Sequence, residues 1–205
     1  MTLEKKAVVF DFGGVIFRTS ATEMYREIFE EHNKSGELEF FLQNIFTKKA
    51  RSAANIGNMR DVTNALAEQH PHWAPFIREF EADHNFLQQV REVLPNMEET
   101  IQEIADKGYK IYGLTNWAAD TFQALKTAYQ PITGLFNDIV VSGEEGIKKP
   151  DPGIFKRAHA RFNLAGHDVY YFDDKESNVA AARQAVGWNG IVFKDATTVR
   201  DALKL

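Results

Sequence analysis

The sequence has no cysteine among its 205 residues, so disulfide bonds, zinc sites built on thiolates and cysteine nucleophiles are excluded, and the redox compartment stays open. It also lacks an excess of basic residues. Its 24 Lys and Arg against 29 Asp and Glu give a net charge of −5. A nucleic-acid partner, which usually requires a basic face, is therefore not expected. The sequence contains no apolar run long enough to span a membrane, so a membrane-embedded protein is not expected either.

The remaining composition is that of a soluble globular protein, with 44% hydrophobic and 26% charged residues. The length suits one α/β domain or a core with a modest insertion. At the N-terminus, Glu4 precedes the first apolar run and Asp11 ends it, which is not the pattern of a secretory signal. We therefore expect a cytoplasmic protein that is a monomer or a weak homo-oligomer.

Five short apolar runs predict buried strands. They are AVVFD (7–11), KIYGLT (110–115), NDIVVS (137–142), VYYFDD (169–174) and GIVF (190–193). Between them lie four segments with helical spacing of apolar residues, at 97–108, 119–129, 151–162 and 176–186. This alternation predicts a Rossmann-like α/β core with a parallel sheet, whose active site lies at the carboxyl ends of the strands.

Residues from about 20 to 94 break the alternation. They hold no convincing parallel strand, and their apolar residues, including those of 73–93, have helical spacing. We therefore predict an all-α cap, residues 19–94, inserted after the first strand of a core made of residues 1–18 and 95–205. We expect Asn96 to cap the helix that follows the second boundary.

Polar side chains stand at the ends of the first two of these strands. Asp11 is followed by two glycines, Gly13 and Gly14, which allow a backbone to approach an anion closely. Thr115 and Asn116 end the second strand, where they can cap a helix or bind a phosphoryl oxygen at its N-terminus. A turn or capping role alone also explains each motif taken singly.

Two further motifs carry charge. Asp173 and Asp174 are adjacent at the end of a buried strand, where their repulsion is best relieved by a cation such as Mg²⁺, although helix capping is an alternative. Lys148 and Lys149 precede a Pro-Asp-Pro helix start, which accounts for the prolines but not for the lysines. Single surface lysines are usually solvated.

Taken in order, the motifs resemble those of the haloacid dehalogenase-like hydrolase superfamily. The matching stretches are FDFGGV (10–15), LTN (114–116), KKPDP (148–152) and FDDKESN (172–178). The resemblance covers residues 7–17 and 95–205, and the position of the helical insertion matches as well. It implies phosphoryl transfer through an aspartyl-phosphate, with Asp11 as the nucleophile.

The resemblance also implies a role for each motif residue. Thr115 and the N–H of Asn116 would bind phosphoryl oxygens, and Lys149 would neutralise charge on the nucleophile and the phosphate. Asn178 would brace the fourth motif, and Lys148 would be exposed. The Mg²⁺ ligands would be Asp11, the backbone carbonyl of Gly13, Asp174 and Asp173, the last either directly or through water.

The sequence departs from the superfamily pattern at Gly13, where most of its phosphatases carry a second Asp that protonates the leaving alcohol. Loss of such a group typically removes a factor of about 10²–10⁴ in rate. A cap histidine (His70, His72 or His84) could replace it, the substrate could have a good leaving group such as an anomeric or acyl phosphate, or turnover could be lost. The Gly form is similar to a branch with small helical-capped bacterial sugar-phosphate phosphatases, some acting on glucose 1-phosphate.

We therefore predict Mg²⁺-dependent hydrolysis of a small phosphorylated metabolite, with a sugar phosphate favoured. One alternative is a non-catalytic module that binds a phosphometabolite or a protein through the cap. Another is a haloacid dehalogenase, which needs no metal and has no use for the pair Asp173-Asp174.

Overall fold

The computed structural model describes residues 6–166 and 168–205. The strands are β1 (Lys6–Phe10), β2 (Phe17–Thr19), β3 (Val90–Val93), β4 (Lys110–Thr115), β5 (Asp138–Val141), β6 (Asp168–Asp173) and β7 (Asn189–Val192). The inserted helices are α1 (Ala21–Glu31), α2 (Leu38–Phe40), α3 (Lys48–Ala53), α4 (Met59–Gln69) and α5 (Ala74–Arg78). The remaining helices are α6 (Met97–Asp106), α7 (Ala119–Ala128), α8 (Gln130–Thr133), α9 (Ser142–Glu145), α10 (Pro152–Arg161), α11 (Glu176–Val186) and α12 (Ala196–Leu203).

Five parallel strands form the central sheet in the order β5-β4-β1-β6-β7, which confirms the predicted α/β fold. Both faces of β1 are buried: Val8 and Phe10 belong to one hydrophobic cluster, and Ala7 and Val9 belong to the other. This explains why the strand is a continuous apolar run rather than an alternating one.

Helices α6, α7, α10 and α11 occupy the four segments that helical spacing predicts. Gly108 has a φ of +78° just beyond α6, a conformation that glycine adopts readily at helix ends. The prediction that Asn96 caps α6 is wrong. Asn96 has a left-handed φ of 61° and makes no side-chain capping hydrogen bond, whereas a capping residue has an extended backbone. In place of a cap, the negative charges of Glu98 and Glu99 in the first turn stabilise the N-terminus of α6 by interacting with the positive end of the helix dipole.

A short antiparallel ribbon joins the ends of the inserted segment. Phe17 of β2 pairs with Val93 of β3, and Arg18 pairs with Glu92. The helical prediction for 73–93 is therefore wrong in its last part, because pairing with a distant strand overrides the local spacing. The division into a core (1–18 and 95–205) and a cap (19–94) stays a prediction.

Aromatic side chains form the interior of the inserted helices. Tyr25 lies 5.6 Å from Phe46 between ring centroids, and Phe46 lies 5.3 Å from Phe80. All three side chains are buried. This packing forms an apolar support beside α3.

Polar contacts connect the inserted helices with the rest of the chain. The Asp120 carboxylate accepts hydrogen bonds from the backbone N–H groups of Met59 (2.9 Å) and Arg60 (3.0 Å), the first residues of α4. Lys148 Nζ donates to the carbonyl (3.0 Å) and the hydroxyl (3.2 Å) of Ser52. Lys148 is half-buried, so the prediction of an exposed side chain is wrong: its partner lies far away in sequence.

Among residues 6–166 and 168–205, no helix has the length and apolar character needed to cross a bilayer.

Candidate active site

The polar residues of three motifs lie at one edge of the sheet. Asp11 follows β1 directly, Thr115 is the last residue of β4, and Asp173 is the last residue of β6. Because β1 lies between β4 and β6 and all three strands are parallel, their carboxyl ends meet. The sheet order therefore brings together side chains that are up to 162 positions apart.

The ammonium group of Lys149 connects these strand ends. Its Nζ lies 2.7 Å from Asp173 Oδ2, 3.0 Å from Asp11 Oδ1 and 2.7 Å from the carbonyl oxygen of Leu114. The side chain is completely buried. Since an ammonium group has three donors, these three oxygens account for all of them.

Lys149 affects its two carboxylate partners differently. Burial favours the neutral form of Asp173, but the adjacent Lys149 lowers the pKa of that group to about 2. At Asp11 burial has the larger effect and raises the pKa to about 6, against the opposing effect of Lys149. Lys149 therefore does not fully compensate the negative charge of ionised Asp11, and a second cation at this site would supply further positive charge.

This pKa predicts an unusual pH dependence for the metal-free protein. The folded state holds a proton on Asp11 between its ordinary pKa of 3.8 and about 6, so the free energy of unfolding rises as pH falls from about 7 to 5. The rise over this interval is about 1.4 kcal/mol, since one pKa unit corresponds to about 1.4 kcal/mol and Asp11 stays protonated over about one pH unit of it. Urea unfolding in EDTA at several pH values checks it. Asp11→Asn protein lacks the titrating group, so equal slopes for both proteins would contradict the assignment.

Asp173 is saturated with hydrogen-bond donors. Besides Lys149, its oxygens accept from the Tyr171 hydroxyl (2.5 Å), the backbone N–H of Lys175 (2.9 Å) and the Asn178 amide (2.9 and 3.0 Å). A carboxylate offers about four lone-pair positions. These contacts orient Asp173 and leave it little capacity for a direct bond to a metal.

Asp174 is more open and lies against the first-motif loop. Its side chain is 35% exposed, and Oδ1 accepts from Lys175 Nζ at 3.2 Å. A Cβ at Gly14, which has a φ of +82°, would lie 3.0 Å from Asp174 Oδ2. The loop can therefore approach this carboxylate only because residue 14 is glycine.

The donor set at this edge fits a hard divalent cation. One carboxylate oxygen from each of Asp11, Asp173 and Asp174 lies within 4.8 Å of the other two, and Asp173, whose oxygens are already hydrogen-bonded, would contact the ion through water. Carboxylate oxygens are the ligands that Mg²⁺ takes in proteins. The raised pKa of Asp11 indicates the same need for positive charge.

Asn116 holds the loop that carries the buried lysine. Its side-chain amide donates to the Lys149 carbonyl (2.9 Å), and its side-chain oxygen accepts from the Lys149 N–H (2.8 Å). The Asn116 side chain is thus engaged, and its backbone N–H is the group that the motif assigns to phosphate. The next residue, Trp117, donates its N–H to the hydroxyl of Ser142 (3.0 Å).

A cavity of about 750 Å³ opens over the strand ends, a size typical of small-molecule sites. Asp11, Gly13, Thr115 and Asn116 line it, as does Trp117. A Cβ at Gly13 would contact Trp117 Cζ3 at an ordinary 3.7 Å. Position 13 can therefore accommodate a Cβ, so steric exclusion does not explain why glycine, rather than a second Asp, is found there.

Among the described residues, no histidine lines this cavity, so His70, His72 and His84 are not placed to replace the missing acid. The cavity is instead rich in cations. They are Arg18, Lys48, Arg51, Lys175 and Lys194. Sequence reasoning missed Lys48 and Arg51, although residues 40–60 hold four cationic side chains and no Asp or Glu.

The profile of the haloacid dehalogenase-like hydrolases matches residues 5–185. The chain belongs to this family. Among curated proteins, this hydrolase is 31% identical over 100 residues to the sesquiterpene phosphatase astK of Aspergillus oryzae, covering 49% of the chain and 50% of astK. It is 28% identical over 105 residues to the glyceraldehyde 3-phosphate phosphatase of Pyrococcus abyssi, covering 51% of the chain and 43% of that protein. The chain thus spans about half or less of the length of these relatives.

A solved structure gives a match over nearly the whole hydrolase. A HAD family enzyme from Bacteroides thetaiotaomicron superposes with a TM-score of 0.66 at 17% identity, covering 98% of each chain. The same Bacteroides enzyme has been solved in complex with magnesium and inorganic phosphate, and that structure superposes with a TM-score of 0.62 at 18% identity. At this identity the likeness establishes the shared fold.

Proposed function

We propose that this haloacid dehalogenase-like hydrolase catalyses the Mg²⁺-dependent hydrolysis of a small phosphate monoester, with a sugar phosphate favoured. The observation that carries the proposal is the arrangement around Lys149, whose ammonium group contacts the proposed nucleophile Asp11 and the fourth-motif Asp173. The phosphatase relatives and the magnesium and phosphate bound to the Bacteroides enzyme support the same chemistry.

In the proposed reaction, a carboxylate oxygen of Asp11 attacks phosphorus and the bond to the leaving alcohol oxygen breaks. Water then attacks phosphorus of the aspartyl-phosphate, which releases inorganic phosphate and restores the carboxylate; the proton that this water gives to solvent balances the one that the leaving oxygen takes from solvent. Lys149 neutralises charge on Asp11 and on the transferred group. The Thr115 hydroxyl and the Asn116 N–H bind phosphoryl oxygens.

Asp11, Asp174 and the carbonyl of Gly13 would hold Mg²⁺ directly. Asp173 would contact it through water, because its oxygens already accept five hydrogen bonds. The bound cation supplies positive charge that offsets repulsion between the nucleophile and the phosphate dianion.

The leaving group has to depart without a carboxylic acid at position 13. Since no histidine among the described residues lines the cavity, a leaving group that needs little protonation fits this site best. An anomeric sugar phosphate or an acyl phosphate has this property. The same absence of an acid keeps a non-catalytic phosphate-binding module as the second candidate.

Removal of the metal tests the proposed function. A panel of phosphate monoesters is assayed with Mg²⁺, in EDTA, and after Mg²⁺ is returned. We expect EDTA to lower turnover by about 10²–10⁴-fold, since metal stabilisation of the transition state is worth several kcal/mol. Ca²⁺, which prefers a larger coordination shell, should restore little activity.

Two outcomes of this assay would replace the proposal. Release of halide from a 2-haloacid in EDTA, without phosphatase activity, would identify a dehalogenase. Phosphate-ester binding measured by calorimetry, without turnover of any ester in Mg²⁺, would identify the binding module.

A further inference from the structure

The inserted helices supply a second group of cavity-lining side chains. Lys48, Arg51 and Ser52 of α3 and Asn55 beyond its end all border the cavity above Asp11. Residues three and four positions apart lie on one helix face. A substrate whose phosphate group is bound at Asp11 therefore has this face of α3 beside the rest of its structure.

The cations of this face differ from Arg18 and Lys175, which also line the cavity, because those two side chains have acidic partners. Arg18 pairs with Glu23 and Glu92, so its charge is already balanced. Within the described part of the chain, Lys48 and Arg51 form no ion pair. Their charge is thus available to a ligand.

Arg51 has surroundings that make an unbalanced charge costly. Its guanidinium lies 5.5 Å from the centre of the Phe46 ring, and one of its N–H groups donates to the Phe46 carbonyl at 2.5 Å. The side chain is half-buried against the aromatic interior that includes Tyr25. Guanidinium keeps its charge in proteins, and a charge removed from water is stabilised by an anion.

A phosphate group bound at Asp11 already has positive charge next to it, from Lys149, which contacts Asp11, and from the proposed metal. We propose that Lys48 and Arg51 bind a second anionic group, a carboxylate or a second phosphate, on the leaving part of the substrate. The inference rests on the proposed phosphatase function and narrows it to phosphate esters whose alcohol portion is itself an acid.

Three synthetic esters of similar length test this inference with Mg²⁺ present. They are 4-methylphenyl phosphate, 4-(carboxymethyl)phenyl phosphate and 4-(phosphonomethyl)phenyl phosphate, whose phenoxide leaving groups need little protonation. We expect kcat/KM to be about 10- to 100-fold higher for an acidic ester than for 4-methylphenyl phosphate, the range for hydrogen bonds between charged groups. The acidic ester with the larger preference identifies the second group as carboxylate or phosphate.

Arg51→Met should remove most of this preference, so that kcat/KM for the acidic esters falls towards the value for 4-methylphenyl phosphate. Lys48→Met, on the exposed start of α3, should lower the preference independently of any packing change at Arg51. Lys49→Met is the matched control, because Lys49 is exposed on the same helix and does not line the cavity. It should keep the full preference.

Equal kcat/KM for the three esters in wild-type protein would overturn the inference. So would an equal loss on all three in Arg51→Met, since Arg51 would then contact the transferred phosphate. In both cases turnover of 4-methylphenyl phosphate shows that the proposed function stands. Absence of Mg²⁺-dependent turnover of these esters and of 4-nitrophenyl phosphate would instead overturn the proposed function and the inference with it.

Discussion

Asp11→Asn protein is expected to lose Mg²⁺-dependent phosphatase activity by at least about 10⁴-fold, the scale seen when a covalent nucleophile is removed. The amide has the shape of the carboxylate and can still accept the hydrogen bond from the Phe12 N–H, which is 2.7 Å from Asp11 Oδ1. It lacks the negative charge needed to attack phosphorus. Steady-state turnover of the best ester from the panel gives the measurement.

The matched control is Asp106→Asn, an exposed acid-to-amide change at the end of α6. It should keep full activity. Circular dichroism and thermal melting establish that both variants are folded. Asp11→Asn protein with activity within about tenfold of wild type would exclude Asp11 as the nucleophile.

Lys149→Met is expected to reduce both stability and activity. It leaves Asp11 and Asp173 buried without their shared cation, and such unpaired buried charge costs about 3–5 kcal/mol in the free energy of unfolding. Methionine nearly matches the length of the lysine side chain, so the loss comes mainly from charge. Urea unfolding in EDTA near pH 7.5 measures it.

The loss should shrink in acid, and its sign follows from the two carboxylates. In wild-type protein the low pKa of Asp173, about 2, gives stability that is present above its ordinary pKa and is lost as pH falls through about 2. Without Lys149 both carboxylates have raised pKa values, so the variant gains stability as pH falls from 7 towards 4. The gap between the two proteins is therefore smaller at pH 5 than at pH 7.5.

Two further variants separate charge from packing. Lys148→Met removes the neighbouring lysine, whose partners are the carbonyl and hydroxyl of Ser52, and should cost less than about 1.5 kcal/mol. In the double variant Lys149→Met/Asp173→Asn, one of the two unpaired charges is gone, so stability should partly return while activity stays lost. Equal stability losses in Lys148→Met and Lys149→Met proteins would contradict the central position of Lys149.

The sequence predicts the positions of the candidate site residues more completely than it predicts the secondary structure of the inserted segment. Asp11, Thr115 and Asp173 can be found from sequence because each follows a short apolar run, and such runs are local signals for buried parallel strands. The ribbon partner at Val90–Val93 could not be found in this way. Its strand conformation depends on pairing with Phe17–Thr19, and neither segment alone has a strong strand pattern.

Side-chain partnerships within the site also depend on tertiary structure. Lys148 and Lys149 are adjacent and chemically alike, yet one donates to Ser52 and the other lies buried between Asp11 and Asp173. Their different environments follow from the direction in which the loop carries each side chain. The Asn116 side-chain amide forms two hydrogen bonds with the Lys149 backbone and so orients the loop. The pairing of these two residues, 33 positions apart, has no local sequence signal.

The five strands, the four chemical motifs and the absence of an acid at Gly13 are all readable from the sequence alone, because strand formation and residue type are local properties. The three-dimensional structure was needed to see that Lys149 is shared by two carboxylates, that Asp173 is saturated with hydrogen bonds whereas Asp174 is open, and that Arg51 of α3 borders the cavity. The physical reason is that contacts between distant segments are set by strand order and by the packing of the inserted helices. Neither is contained in the spacing of neighbouring residues.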